Sequence, residues 1–400
     1  MNYYFTWHDI NCIFEKNRYS WPEIWTDVKV YSDCIEIYQN SDQSHEASVQ
    51  YLKELFGQNY SVKRNALLID FTGLYLDIIF QCGDIPKAKK KYEPLFKEIN
   101  HEKCAKEAKE SNDFDGLKMI AFYSYKSGVG QTSSLIAFLR QYTKKYPDKK
   151  ILVIDANVEA PGLTLMAEAE CREISYLDIL SIMNYEQITD RTMKKLASLI
   201  KDSTVSVTTD KQKVNQYFMP VYREKEQIMN ITVVSDLILL TKENKFFITE
   251  TIAEIAKKAE ADVVLIDLQD GITEYSAPFL FDPRVIKYYV TSTSYQSVKG
   301  INQVLKQVYK NQDVDIFKSR ILLTMIPEAM SHEEIQEIEN QIVEGVESVA
   351  DIDNATFLRN KCFIELKFDE AFIRVPDFDM LCEKLKDSEL APLMHEPLSG

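Results

Sequence analysis

The hydrophobic pattern of the chain changes in character after the first hundred residues. In the first part, residues 44–56 carry apolar side chains at helical spacing, whereas residues 28–38 and 66–80 are strand-like. This mixture predicts a small α+β domain over residues 1–84, which is a candidate module for binding a partner.

Residues 85–117 differ from both flanking parts because lysines and glutamates are interleaved there with few aromatic side chains. Such a charge pattern is typical of a solvated helix. We therefore predict a Lys-rich helical connector, and a contact for phosphate or an acidic partner is the alternative interpretation.

From residue 118 to residue 400 the pattern alternates between short apolar runs and amphipathic helices. The runs that predict strands are residues 119–123, 151–154, 231–234, 263–266, 286–290 and 321–323. One helix is expected to start at Ser331, because Glu334 stands at capping-box spacing from it. Continuous apolar strands that alternate with helices predict an α/β fold with a mostly parallel sheet flanked by helices.

Composition narrows the classes of protein that this pattern allows. The 400 residues include 47 Lys and Arg against 62 Asp and Glu, a net charge of −15, and 45% are hydrophobic. These values exclude a disordered chain and argue against nucleic acid as the main ligand. Seven scattered cysteines without a C-x-x-C pair, no signal-peptide pattern and no membrane-spanning run predict a cytoplasmic protein with reduced thiols.

The most informative motif is a glycine-rich stretch between a predicted strand and a predicted helix. It consists of Lys126, Ser127, Gly128, Val129, Gly130, Gln131, Thr132 and Ser133. Its two glycines would let backbone N–H groups point at an anion, and the following helix would present its positive N-terminus. Thr132 is placed to offer its hydroxyl to Mg²⁺.

The loop alone does not choose between ligand classes. The standard phosphate-binding pattern requires Gly at position 125 and Lys at position 131, where this chain has Tyr125 and Gln131. The dinucleotide fingerprint requires a third glycine at Ser133. A purely structural turn is the remaining alternative.

The next two predicted strands favour a nucleoside triphosphate. Asp155 ends one strand and Asp267 ends another, and an aspartate at the latter position can hold the Mg²⁺ shell opposite Thr132. A dinucleotide-binding domain does not need that acid.

Taken together, these motifs resemble the deviant Walker A ATPases typified by the ParA and MinD proteins. The family loop reads K-G-G-V-G-K-[ST], and a bacterial subgroup has F-Y-S-Y-K-G-G-V-G-R-T followed by a second strand that ends in D-x-D-x-E-A-P-G-L. The matching residues in this chain are 122–132 and 155–163. The resemblance implies ATP and Mg²⁺ as ligands and a homodimer around ATP. It assigns residues 126–133 and Asp155 to ATP, and Thr132 and Asp267 to Mg²⁺ through water.

Two positions depart from the family pattern. The resemblance implies that Lys126 reaches phosphates across the dimer, and that the next lysine, replaced in this chain by Gln131, contacts the terminal phosphates. Loss of this charge-assisted hydrogen bond costs about 1.5–3 kcal/mol, and since the amide of Gln131 can still donate, weak binding of the nucleotide is expected. The acid that orients the attacking water is replaced by Asn157, and an amide cannot accept the proton.

These departures favour an ATP-binding regulatory switch with slow or absent hydrolysis that controls a partner protein. The resemblance to the subgroup suggests bacterial anti-phage defence or signalling as its setting. An active ParA-type partition ATPase and a non-catalytic scaffold are the alternatives. DNA binding is disfavoured by the charge of −15, and membrane binding by the acidic residues 379–400. Thr324 stands where relatives read adenine with Asn.

Overall fold

The computed structural model describes most of the chain. The described residues are Tyr4, 7–40, 45–69, 73–82, 114–168, 172–185, 188–223, Gln227, 246–310, 318–349, 362–372, 375 and 377–386. They belong to two compact units, Met1–Lys91 and Tyr92–Gly400. Most of the predicted connector lies outside the described residues, so the division at residues 84 and 117 stays a prediction. No helix among the described residues has the length and apolar character needed to cross a bilayer.

In its described residues, the first unit is a five-stranded sheet with two α-helices. Its elements are α1 Trp7–Lys16, β1 Trp25–Val30, β2 Cys34–Gln39, α2 Glu46–Phe56, β3 Tyr60–Ser61, β4 Ala66–Ile69 and β5 Leu74–Cys82. The strand order is β1-β2-β5-β4-β3, and only β2 and β5 pair in parallel. Phe14 and Phe56 from the two helices pack with Trp25 and Ile37 from the sheet in one hydrophobic core. The predicted small α+β fold is confirmed.

The second unit is built on one large sheet. Its strands are β6 Lys118–Ser124, β7 Ile151–Ala156, β8 Thr204–Thr208, β9 Lys213–Met219, β10 Val263–Leu268, β11 Ile286–Ser292, β12 Arg320–Ile326 and β13 Phe363–Lys367. Its described helices are α3 Gln131–Lys145, α4 Gly162–Met166, α5 Tyr176–Tyr185, α6 Asp190–Asp202, α7 Phe247–Lys258, α8 Ala277–Phe281, α9 Tyr295–Tyr309, α10 His332–Glu347 and α11 Phe378–Lys384.

The large sheet has the strand order β13-β12-β11-β6-β10-β7-β9-β8. All neighbouring pairs are parallel except β8 and β9. Successive residues of β6 belong to different hydrophobic clusters: Met119 and Ala121 to one, Ile120 and Phe122 to the other. Because neighbouring side chains in a strand point to opposite faces, this sheet has a core on both faces. The predicted α/β class is confirmed.

Three strands of the large sheet, namely β8, β9 and β13, were not predicted, and neither was the two-residue strand β3 of the first unit. A continuous apolar run along the sequence predicts only strands that are buried on both faces. In β8 the residues Thr204, Ser206 and Thr208 alternate with valines, and β13 includes Glu365 and Lys367. Both lie at edges of the sheet, where only part of the strand is buried. The predicted strand at residues 231–234 lies outside the described residues.

The predicted start of α10 is confirmed. The Glu334 backbone N–H donates to Ser331 Oγ at 3.3 Å, and the Ser331 backbone N–H donates to Glu334 Oε2 at 2.8 Å. Both members of the capping box are therefore formed, and they satisfy two donors at the start of the helix.

Farther along α10, Glu339 is only 8% exposed, and we expect its replacement by glutamine to stabilise the protein. Burial and the charge of Glu365 raise the pKa of Glu339 to about 7. A raised carboxyl pKa means that stability is greatest when the group is protonated and falls as the pH rises from the usual carboxyl pKa to about 7. At pH 8, Glu339→Gln should raise the free energy of unfolding by about 1–2 kcal/mol.

Urea unfolding at pH 5 and pH 8 measures this effect. Glu337→Gln, at an exposed position of the same helix, is the matched control and should change nothing. Equal stability of Glu339→Gln and wild type at pH 8 would contradict the prediction.

Candidate functional site

The glycine-rich loop occupies the turn between β6 and α3, at the carboxyl end of a central strand. Gly128 and Gly130 have φ of +77° and +85°, a region that residues with a Cβ rarely adopt. A Cβ at either position would meet no atom within 4 Å, so the backbone conformation and not space calls for glycine. Gly130 is the N-cap residue of α3. The loop therefore leads directly into a helix N-terminus, where unpaired N–H groups attract anions.

The topology brings two distant aspartates to this loop. Asp155 at the end of β7 and Asp267 at the end of β10 are register partners on neighbouring parallel strands. β10 also pairs with β6, which precedes the loop. Both carboxyl groups are fully buried. The sheet thus places two buried acids beside the loop at the same edge.

Asp267 is bonded to the first two residues of α3. Gln131 Nε2 donates to Asp267 Oδ1 at 2.7 Å and to the Leu268 carbonyl at 2.6 Å. Thr132 Oγ1 donates to Asp267 Oδ2 at 2.7 Å. Both amide hydrogens of Gln131 are thereby used inside the protein. In this arrangement the amide has no further N–H for a phosphate, and the assignment of Gln131 to ATP stays a prediction.

Asp155 is held by the segment that follows its own strand. Its Oδ2 accepts from the Thr164 backbone N–H at 2.7 Å and from Thr164 Oγ1 at 2.8 Å, and its Oδ1 accepts from the Asn157 N–H at 3.2 Å. Burial and the neighbouring Asp267 charge raise the pKa of Asp155. Burial also raises the pKa of Asp267, against the effect of its hydrogen bonds. A bound cation would stabilise both carboxylates.

The exposed start of the loop is attached to α9. Lys126 Nζ donates to Gln296 Oε1 at 3.0 Å, and the Tyr125 ring fills the space above Gly300. A Cβ at Gly300 would lie 1.8 Å from Tyr125 Cδ1, so only glycine permits this contact. Lys126 therefore lies on the exposed side of the loop, apart from the two buried aspartates.

The far side of the loop is held by Thr324. Its hydroxyl lies 2.6 Å from the Val129 carbonyl and 3.1 Å from the Thr291 carbonyl, and the residue is only 5% exposed. The next residue, Met325, has a φ of +54° at an irregularity of β12. Thr324 stands roughly where the resemblance puts the Asn that reads adenine, and in the structure its hydroxyl supports the loop backbone.

The oxygen atoms at this site suit Mg²⁺. Thr132 Oγ1 and the Asp267 carboxylate are hard ligands that lie together beside the loop. Within the described ranges, no group of three or more His, Cys, Asp or Glu side chains is placed to hold a metal ion. Mg²⁺ in proteins is commonly bound by one or two protein ligands together with substrate phosphates. The hydroxyl of Thr132 and the carboxylate of Asp267 would supply the protein part of such a site.

Ser127 is exposed and Ser133 is half-buried at the two ends of the glycine segment. The predicted ligand residues 126–133, Asp155 and Asp267 thus meet at one sheet edge. Their assignment to ATP and Mg²⁺ stays a prediction. Sequence reasoning missed Thr164, Gln296 and Thr324 as supports of the site, because their roles depend on contacts between remote segments.

Comparisons with known proteins give likeness of fold only. No protein-family model matches the chain, and neither does any curated protein. A ParA family ATPase from Chlorobium tepidum TLS is similar over 70% of this chain and 96% of its own, with 17% identity and a TM-score of 0.46. The MinC:MinD cell division complex of Aquifex aeolicus covers 69% of this chain and 94% of its own, with 16% identity and a TM-score of 0.42.

A putative plasmid partition protein from Borrelia burgdorferi B31, bound to AMPPNP, is similar over 67% of this chain and 97% of its own. Its identity is 14% and its TM-score 0.41. With identities and TM-scores this low, the similarities support no statement about the activity of this chain. The α/β architecture rests on the strand order and the parallel pairings of the sheet itself.

Proposed function

We propose that the chain is an ATP-binding regulatory switch that binds Mg²⁺ with the nucleotide and hydrolyses it slowly or not at all. The observation that carries this proposal is the loop with Gly128 and Gly130, which opens α3 directly beside Thr132 and the buried Asp267. Backbone N–H groups and a helix N-terminus suit phosphate, and the adjacent oxygens suit Mg²⁺.

Two side chains support slow or absent hydrolysis of ATP. Gln131 donates both amide hydrogens to Asp267 and Leu268, so no donor replaces the family's second lysine. Asn157 has an amide where the family has a water-orienting acid, and a positioned acid or base contributes about 10²- to 10⁴-fold. The combination supports nucleotide binding more than turnover.

Dimerisation around the nucleotide is supported by exposed apolar side chains at the same edge of the sheet. They lie in the segments that follow strands, at a strand end or in the first turn of a helix, and are Tyr125, Ile272, Tyr295, Met325 and Phe368. Exposed apolar surface at one edge of a sheet is a candidate protein interface. A second copy of this chain would cover them and bring its own Lys126 close to the nucleotide, as the resemblance implies.

Replacement of Tyr295 by glutamate is expected to abolish nucleotide-dependent dimerisation. Tyr295 is 73% exposed on the first turn of α9, so a charge there leaves the monomer folded but would be buried without a partner in the dimer. Light scattering with and without Mg²⁺ and a non-hydrolysable ATP analogue measures the mass. Tyr19→Glu, at a fully exposed position of the other unit, is the control and should dimerise like wild type. Dimers of Tyr295→Glu would contradict the arrangement.

The proposal places the chain in the cytoplasm, where it controls an effector or regulatory protein. The resemblance suggests bacterial defence or signalling as the setting. The alternative of a ParA-type partition ATPase requires DNA binding and partner-stimulated turnover, and the net charge of −15 opposes the former. The alternative of a scaffold requires that the loop binds nothing.

Titration of the full chain with ATP, ADP and NAD in Mg²⁺ separates these functions when melting temperature and phosphate release are read together. A rise in melting temperature with ATP and little phosphate release is the expected result. Rapid turnover would favour the partition ATPase, and an unchanged melting temperature with all three nucleotides would favour the scaffold.

A further inference from the structure

An amide and a carboxylate from the segments that follow β7 and β10 face each other beside the loop. Asn157 Nδ2 donates to Asp270 Oδ1 at 3.3 Å, across 113 residues of sequence. Asn157 Oδ1 accepts from the Ala160 backbone N–H at 3.1 Å, which fixes the orientation of the amide. The carboxylate of Asp270 thus lies one hydrogen bond away from the side chain that replaces the family's water-orienting acid.

The turn that carries Asp270 is held on both sides. Gly271 adopts a φ of +76°, its N–H donates to the Ser124 carbonyl at 3.1 Å, and its carbonyl accepts from Tyr123 OH at 2.9 Å. The carbonyl of Gln269 accepts from Ser276 Oγ at 2.6 Å. Tyr123 and Ser124 end β6, the strand that leads into the glycine loop. Asp270 is therefore fixed relative to the loop that would hold phosphates.

We infer that Asp270 supplies the general base that residue 157 lacks, with Asn157 as its positioning residue. The inference rests on the proposed function, since it concerns the nucleotide held by the same loop. Asp270 is partly exposed, so water can reach it, whereas Asp155 and Asp267 are fully buried. Among the three aspartates at this edge, Asp270 alone combines access to water with a side-chain amide that orients it.

The reaction is hydrolysis of the terminal phosphoanhydride of ATP. A water oxygen forms a bond to the terminal phosphorus while the bond from that phosphorus to the bridging oxygen breaks. The bridging oxygen keeps the electron pair and leaves with ADP. One water proton passes to the Asp270 carboxylate, and inorganic phosphate is released.

Exchange of the two side chains tests the inference. Asp270→Asn should lower the slow wild-type rate of phosphate release by about 10²-fold or more. Its affinity for Mg²⁺ and a non-hydrolysable ATP analogue should stay that of wild type. The double variant Asn157→Asp/Asp270→Asn keeps one acid and one amide in contact and should regain most of the lost rate. Asp148→Asn, at an exposed turn before β7, is the control for loss of a carboxylate.

Melting temperatures provide a readout that does not depend on turnover. Asn157→Asp alone places two carboxylates in contact, so it should lower the melting temperature of the nucleotide-free protein. Adding Asp270→Asn should restore it, and the non-additivity measures the contact.

Two results would overturn the inference. One is an Asp270→Asn variant that releases phosphate at the wild-type rate, and the other is wild-type release no faster than the background without protein. Neither result affects nucleotide binding. Failure of wild type to bind ATP would instead overturn the proposed function.

Discussion

Replacement of Gln131 by lysine is expected to raise the affinity for Mg²⁺-ATP by about 10- to 100-fold. In the wild type both amide hydrogens of Gln131 are bonded to Asp267 and Leu268, so the side chain has no donor for a phosphate. A lysine brings a charge-assisted hydrogen bond, which contributes about 1.5–3 kcal/mol, and its charge also stabilises the buried carboxylate of Asp267.

Calorimetric titration with a non-hydrolysable ATP analogue measures this gain. Gln131→Met is the matched control, because methionine has a similar length and no donor. It should lower the melting temperature and leave the affinity unchanged. A large loss of affinity in Gln131→Met would show that the wild-type amide leaves Asp267 and contacts the phosphate when the nucleotide binds, which would contradict the prediction.

Replacement of Thr132 by valine is expected to weaken binding of Mg²⁺-ATP by about 10²-fold or more, since a bound metal contributes several kcal/mol at a phosphate. Valine has nearly the shape of threonine but has no hydroxyl for the cation. The variant should bind ATP equally with and without Mg²⁺, whereas wild type should bind far better with it.

Thr132→Ser is the conservative control and should keep the dependence on Mg²⁺. Melting temperatures without nucleotide show how much of any loss comes from the broken bond to Asp267. If binding of ATP by Thr132→Val still depends on Mg²⁺, the assignment of Thr132 to the metal site is wrong.

The sequence predicted the parts of the site that depend on local rules. Gly128 and Gly130 stand in a strand-to-helix turn that needs positive φ, and the pattern of apolar runs predicts that Asp155 and Asp267 end parallel strands. The carboxyl ends of parallel strands meet at one edge of a sheet, so their proximity follows from the fold.

Contacts between remote side chains could not be predicted in this way. The engagement of Gln131 with Asp267, the support of Val129 by Thr324 and the pairing of Asn157 with Asp270 each depend on a side-chain orientation set by tertiary packing. The edge strands β8 and β13 were missed for a different reason, because polar residues at their half-buried positions interrupt the continuous apolar run that predicts a strand buried on both faces.

Binding of ATP together with Mg²⁺ by the glycine loop is the central claim. Calorimetric titration of the full chain with a non-hydrolysable ATP analogue, with Mg²⁺ and then with EDTA, tests it most directly. We predict saturable binding at one site per chain, and much weaker binding in EDTA. Absence of binding in Mg²⁺ at millimolar analogue, by a protein that is folded and monodisperse, would contradict the claim.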